Sequence, residues 1–64
     1  MKIKIGFVGY SGGLLITKIW ETTSFKRSKE TRTANAVLEL CRYAEKENIN
    51  IIEITTVKEE KNVI

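Results

Sequence analysis

Residues 2–23 read KIKIGFVGYSGGLLITKIWETT, two apolar segments on either side of Gly12 and Gly13. In the first, Ile3, Ile5 and Phe7 share one face while Lys2, Lys4, Val8 and Tyr10 share the other. That period of two belongs to a half-buried strand. Glycine takes positive φ without steric penalty, so Ser11, Gly12 and Gly13 suit a tight hairpin turn. Leu14 to Thr23 then reads as a second strand, because Ile16, Thr17, Ile19, Trp20, Thr22 and Thr23 are β-branched or aromatic. Folding the pair about the glycines sets Ile5 opposite Trp20 and Lys4 opposite Glu21, one apolar and one opposite-charge pair. Lys18 is the misfit on the apolar face, accommodated if its stem packs and its ammonium reaches water.

Past the hairpin, residues 22–33 are polar and aperiodic and read as a loop leading into a helix. The helix is expected to begin between Ser28 and Thr33 and to end near Glu47, with Asn48 able to adopt the left-handed conformation that closes it. Ala34, Val37, Leu38, Cys41 and Ala44 follow helical spacing and form its expected apolar stripe, with Leu40 and Tyr43 at the margins. A third strand is expected over residues 49–57, then a charged tail from Lys58 to Lys61. The chain therefore reads as one α+β domain over residues 1–64: a small β-β-α-β domain, a three-stranded antiparallel sheet with one helix packed on one face. The crossover through the helix is expected to place the third strand beside the first, which becomes central.

One helix covers one face of such a sheet, yet both faces carry apolar side chains. Ile3, Ile5, Phe7, Ile16 and Trp20 belong under the helix. Val8, Tyr10, Leu15 and Ile19 remain on the far side, with either Ile49 and Ile51 or Ile52 and Ile54 beside them. Uncovered apolar area of this kind marks interfaces. The expectation is a homodimer, or a sheet that docks on a partner protein through Val8, Tyr10, Leu15 and Ile19.

At 64 residues the chain is short enough that small domains of its size commonly lean on disulfides, metals or association. A single cysteine, Cys41, excludes an internal disulfide, and the absence of histidine leaves no zinc-type ligand set. No metal and no cofactor are expected. Strand-like alternation begins at Lys2 without an apolar leader, and composition is too polar for a bilayer span, so a cytoplasmic, non-membrane location is expected. Cys41, on the expected apolar stripe, reads as an inert core residue.

Net charge is +3, but residues 1–32 hold seven Lys or Arg against two Glu while residues 33–64 hold four against six. The densest basic segment is Lys26, Arg27, Lys29 and Arg32, a candidate contact for phosphates or another acidic surface. Tyr10 and Phe25 are candidate stacking groups for bases. Trp20, opposite Ile5, is assigned to the core.

Residues 5–13, Ile-Gly-Phe-Val-Gly-Tyr-Ser-Gly-Gly, resemble the strand-to-loop opening of P-loop nucleotide-binding proteins, whose backbone N–H groups cradle phosphates. The resemblance stops at Leu14 and Leu15, which stand where that motif has Gly-Lys. Ser11, Gly12 and Gly13 also resemble the opening of the pyrophosphatase-type PP-loop, without the Asp-Ser that follows there. A plain hairpin turn is the favoured reading, since Gly-Gly between two strands is a sufficient reason for these residues, and a phosphate turn at Ser11, Gly12 and Gly13 is kept as an alternative.

Without His or Asp, and with Glu as the sole acid, the usual nucleophile, base and acid constellation cannot be assembled, so an enzyme is not expected. The leading expectation is a non-enzymatic binding module that contacts nucleic-acid phosphates through residues 26–32. Its alternatives are a small inhibitor or adaptor docking through the apolar sheet face, and a pocket for a small nucleotide between the glycine turn and the helix start. Size and absent catalytic groups would suit an accessory protein of a phage or mobile element.

Overall fold

The structure is a computed structural model and describes residues 1–61. Its elements are β1 (Lys2–Ser11), β2 (Leu14–Thr23), α1 (Lys29–Lys46) and β3 (Ile49–Glu60). The three strands form one antiparallel sheet in the order β2-β1-β3, with α1 on one face. The domain is the α+β arrangement expected from periodicity.

The hairpin register is the one set by its turn: Ile5 faces Trp20, Lys4 faces Glu21, and Ser11 faces Leu14. Gly12 and Gly13 hold φ of 58° and 81°, positive at both central positions as a type I′ turn demands. Such a turn twists with the strands it joins, so the pairing runs unbroken for the length of both.

Helix α1 starts where a capping serine allows it. Ser28 is the N-cap, its Oγ accepting the Thr31 N–H at 3.4 Å. At the other end Asn48 holds φ of 56°, the left-handed turn expected of it.

The buried face of α1 is not the expected one. Ala36, Leu40 and Ala44 are buried, Val37 and Tyr43 pack beside them, and Cys41 and Leu38 are exposed. The helix is turned by about one residue's rotation, roughly 100°, from the stripe through Ala34, Leu38 and Cys41. Apolar residues occupy more than half of the helix circumference over residues 34–44, leaving Asn35, Glu39 and Arg42 as the polar side, so spacing alone does not choose which part of that arc enters the core. Two alanines flanking Leu40 let the helix backbone approach the sheet, and that closer packing selects their side. Cys41 is accordingly a surface thiol and not the core residue expected.

Ile3, Ile5 and Phe7 from β1 and Leu40 from α1 are the largest fully buried side chains. Burying each contributes about 1.5–3 kcal/mol. Trp20, Ile49 and Ile51 pack around them, with Trp20 tilted against Tyr43 at a ring separation of 6.3 Å. Ile49 and Ile51 are thus the inward pair of β3, and Ile52 and Ile54 stay exposed.

Strand β3 runs to Glu60, so Lys58, Glu59 and Glu60 belong to the sheet and not to a tail. Two register shifts interrupt its pairing with β1, between Gly6 and Phe7 and between Val8 and Gly9. The glycines lie at these irregularities because β3 passes close by. A Cβ on Gly9 would sit 2.8 Å from the Asn50 carbonyl oxygen, and one on Gly6 would sit 2.6 Å from Thr56 Oγ1. Gly6 and Gly9, which carried part of the P-loop resemblance, therefore have a packing role within a continuous strand.

Candidate functional site

Beyond Thr23 the chain leaves the sheet, but Ser24 is still tied to Met1: the Met1 ammonium donates to the Ser24 carbonyl at 2.6 Å, and the Ser24 N–H donates to the Met1 carbonyl at 2.9 Å. Phe25 then stands 84% exposed, followed by exposed Lys26 and Arg27, the cap Ser28, and exposed Lys29 in the first turn of α1. Behind this loop lies an open cleft of about 350 Å³ between residues 22–26 and the helix residues Asn35, Ala36 and Glu39. Glu39 accepts the Thr22 hydroxyl at 2.8 Å inside it. A carboxylate in that position repels phosphate, so attraction for anions belongs to the rim formed by Lys26 and Arg27.

Arg32 does not join that rim. Its Nε donates to Glu59 Oε2 at 2.7 Å and its Nη2 reaches Glu59 Oε1 at 3.5 Å. Its Nη1 donates to the carbonyls of Lys26 at 2.9 Å and Arg27 at 2.8 Å. The paired side chains of Arg32 and Glu59 are 13% and 11% exposed. The guanidinium is occupied as a brace that ties the loop backbone to the C-terminal end of β3, and the expected phosphate contact at this position gives way to that role. What it holds is the backbone of the two residues whose cations face solvent. Sequence reading missed the brace because Glu59 lies 27 residues away, in a segment read as tail.

The start of α1 carries its own anion. Ser28 Oγ donates to Glu30 Oε2 at 2.8 Å. Hydrogen bonding to its own backbone N–H, then to Ser28, with the charges of Lys29 and Arg32 adding, holds the Glu30 carboxyl below its ordinary value. A bound phosphate at this helix start has to compete with that carboxylate.

Ser11, Gly12 and Gly13 form the hairpin tip, and apart from each glycine and its chain neighbours no heavy atom lies within 4 Å of where a Cβ would stand on Gly12 or Gly13. Ten residues of β2 separate this tip from the basic loop, about 33 Å of strand. The glycine turn and the helix start, the two halves of the nucleotide pocket considered from sequence, therefore lie at opposite ends of the sheet.

The open face of the sheet carries the other candidate surface. Tyr10 is 46%, Leu15 62% and Ile19 75% exposed, Val8 is half-buried between them, and Ile52 is 54% exposed. Toward the opposite end that face turns charged, with Lys2 paired to Glu21 at 3.4 Å and Lys4 to Glu60 at 3.3 Å. Among the described residues no helix is long and apolar enough to cross a membrane. No protein-family model, curated protein or solved structure matches this chain.

Proposed function

We propose that the chain is a non-enzymatic, cytoplasmic binding module whose loop over residues 25–29 attaches to single-stranded nucleic acid. The observation that supports this reading is the brace. Arg32 fixes the carbonyls of Lys26 and Arg27 while their side chains point outward, so the cations are presented on an ordered backbone beside an exposed aromatic ring. Ordering a loop in advance lowers the entropy lost on binding. Lys26, Arg27 and Lys29 supply phosphate contacts, and Phe25 supplies a stacking surface for a base.

Three phosphate contacts on a single strand correspond to a slope of about −2 in log affinity against log salt. Fluorescence anisotropy with a labelled oligonucleotide reads it directly. Changing Lys26, Arg27 and Lys29 together to Ser is expected to abolish binding, and Phe25→Ala to weaken it by about 1–3 kcal/mol. An affinity indifferent to salt would remove the proposal.

A second reading rests on the exposure of Tyr10, Leu15 and Ile19: the sheet face docks on another protein, and the basic loop steers the approach to an acidic surface. In that case Tyr10→Lys abolishes function while the triple Ser variant retains it.

A further inference from the structure

The two edges of the sheet are built differently. β3 carries two register irregularities and the charges of Glu53, Lys58, Glu59 and Glu60, features that discourage a further strand from pairing there. β2 pairs with β1 without a break over ten residues and carries only Lys18 and Glu21 as charges. Helix α1 packs chiefly toward β3 and touches β2 through the side chains of Trp20 and Thr22. Among the described residues the three most exposed aliphatic side chains, Ile19, Leu14 and Leu15 at 75%, 71% and 62%, all lie on β2.

Its free backbone groups can be assigned. Met1 and Ser24 exchange both hydrogen bonds, and in an antiparallel ladder such closed pairs recur at every second residue. Ile16, Lys18, Trp20 and Thr22 therefore bond inward to β1. Leu15, Thr17, Ile19 and Glu21 turn their N–H and C=O groups outward, with no strand beside them among the described residues.

We propose that the β2 edge pairs with the β2 edge of a second copy of this chain, antiparallel about a two-fold axis at Thr17, to form one continuous six-stranded sheet. A second copy is the occupant because the strand complements itself. In this register Leu15 meets the second copy's Ile19 on the open face, twice by symmetry, and Leu14 meets the second copy's Trp20 on the helix face. Lys18 falls opposite Ile16. An axis one residue further on, at Lys18, would keep outward groups facing each other but set the two copies' lysines directly opposite in a non-hydrogen-bonded pair, where side chains stand closest, and like-charge repulsion disfavours it. The pairing closes about six backbone hydrogen bonds on outward groups.

The test is mass in solution by light scattering, without nucleic acid, so it stands apart from what the loop binds. Wild type is expected at twice the chain mass. Thr17→Pro removes an outward N–H at an edge position where the β1 ladder does not use it. Ile19→Lys places a charge at the contact on a side chain that is already solvent-exposed. Both variants are expected at the single-chain mass with unchanged circular dichroism. A wild-type protomer that stays single up to its solubility limit overturns the proposal. So does a dimer that survives Thr17→Pro, since the contact then belongs to the flat face of the sheet.

Discussion

β1 and β2 are each ten residues long, are joined by one turn, and both carry apolar residues on each face of the sheet, yet their fates differ. β1 buries Ile3, Ile5, Gly6, Phe7 and Gly9, whereas no residue of β2 is fully buried. The difference is position. β1 has a strand on each side and shares its buried cluster with Leu40 of α1, while β2 is an edge strand with one strand beside it among the described residues. Alternation in a strand thus marks which side chains share a face, and the number of neighbouring elements decides how much that face is worth.

The comparison breaks most visibly under truncation. Phe7→Ala is expected to destabilise by about 3–5 kcal/mol, against a change within about 0.5 kcal/mol for Ile19→Ala in the isolated protomer. Chemical denaturation at low protein concentration measures both. Similar losses at the two positions would show that β2 is covered in solution, as strand pairing requires.

A finer probe uses the close approach of β3. Gly9→Ala drives a methyl onto the Asn50 carbonyl, which as backbone cannot swing aside, and about 1–3 kcal/mol of destabilisation is expected. Thr17→Ala on β2 is expected to stay within about 0.5 kcal/mol in the protomer. Thermal melts of the two variants compare the strands without removing core volume, and equal melting temperatures would contradict the central placement of β1.

The smallest effect concerns how β2 is held to the helix. Beyond the Trp20 and Tyr43 contact, its link is the Thr22 hydroxyl on Glu39. Thr22→Val is expected to lose roughly 0.5–1 kcal/mol, and a double-mutant cycle with Glu39→Ala, which removes the acceptor, isolates that share. A coupling of zero would leave β2 attached to the helix by aromatic packing alone.

The hairpin register, the helix ends and the antiparallel order with β1 at the centre could be read from residues 1–61 because each signal is local. A two-residue turn leaves one pairing, the end of the aperiodic polar stretch bounds the helix start between Ser28 and Thr33, and Asn48 admits the left-handed exit. The candidate loop was visible in the same way, as a run of cations beside Phe25. Its division of labour was not, since nothing near Arg32 in the chain distinguishes it from Lys29.

Composition and spacing therefore settled the elements and their pairing, where the interacting groups are turn-length neighbours or ladder partners counted from a known turn. Three features waited for the folded chain: the face of α1 that enters the core, the irregular passage of β3 past Gly6 and Gly9, and the union of Arg32 with Glu59. Each depends on groups brought together from distant parts of the sequence, and each is chosen by closeness of packing or by the need to pair a charge taken from water. A helix apolar over more than half of its circumference, or an arginine among other cations, holds no local mark of that choice.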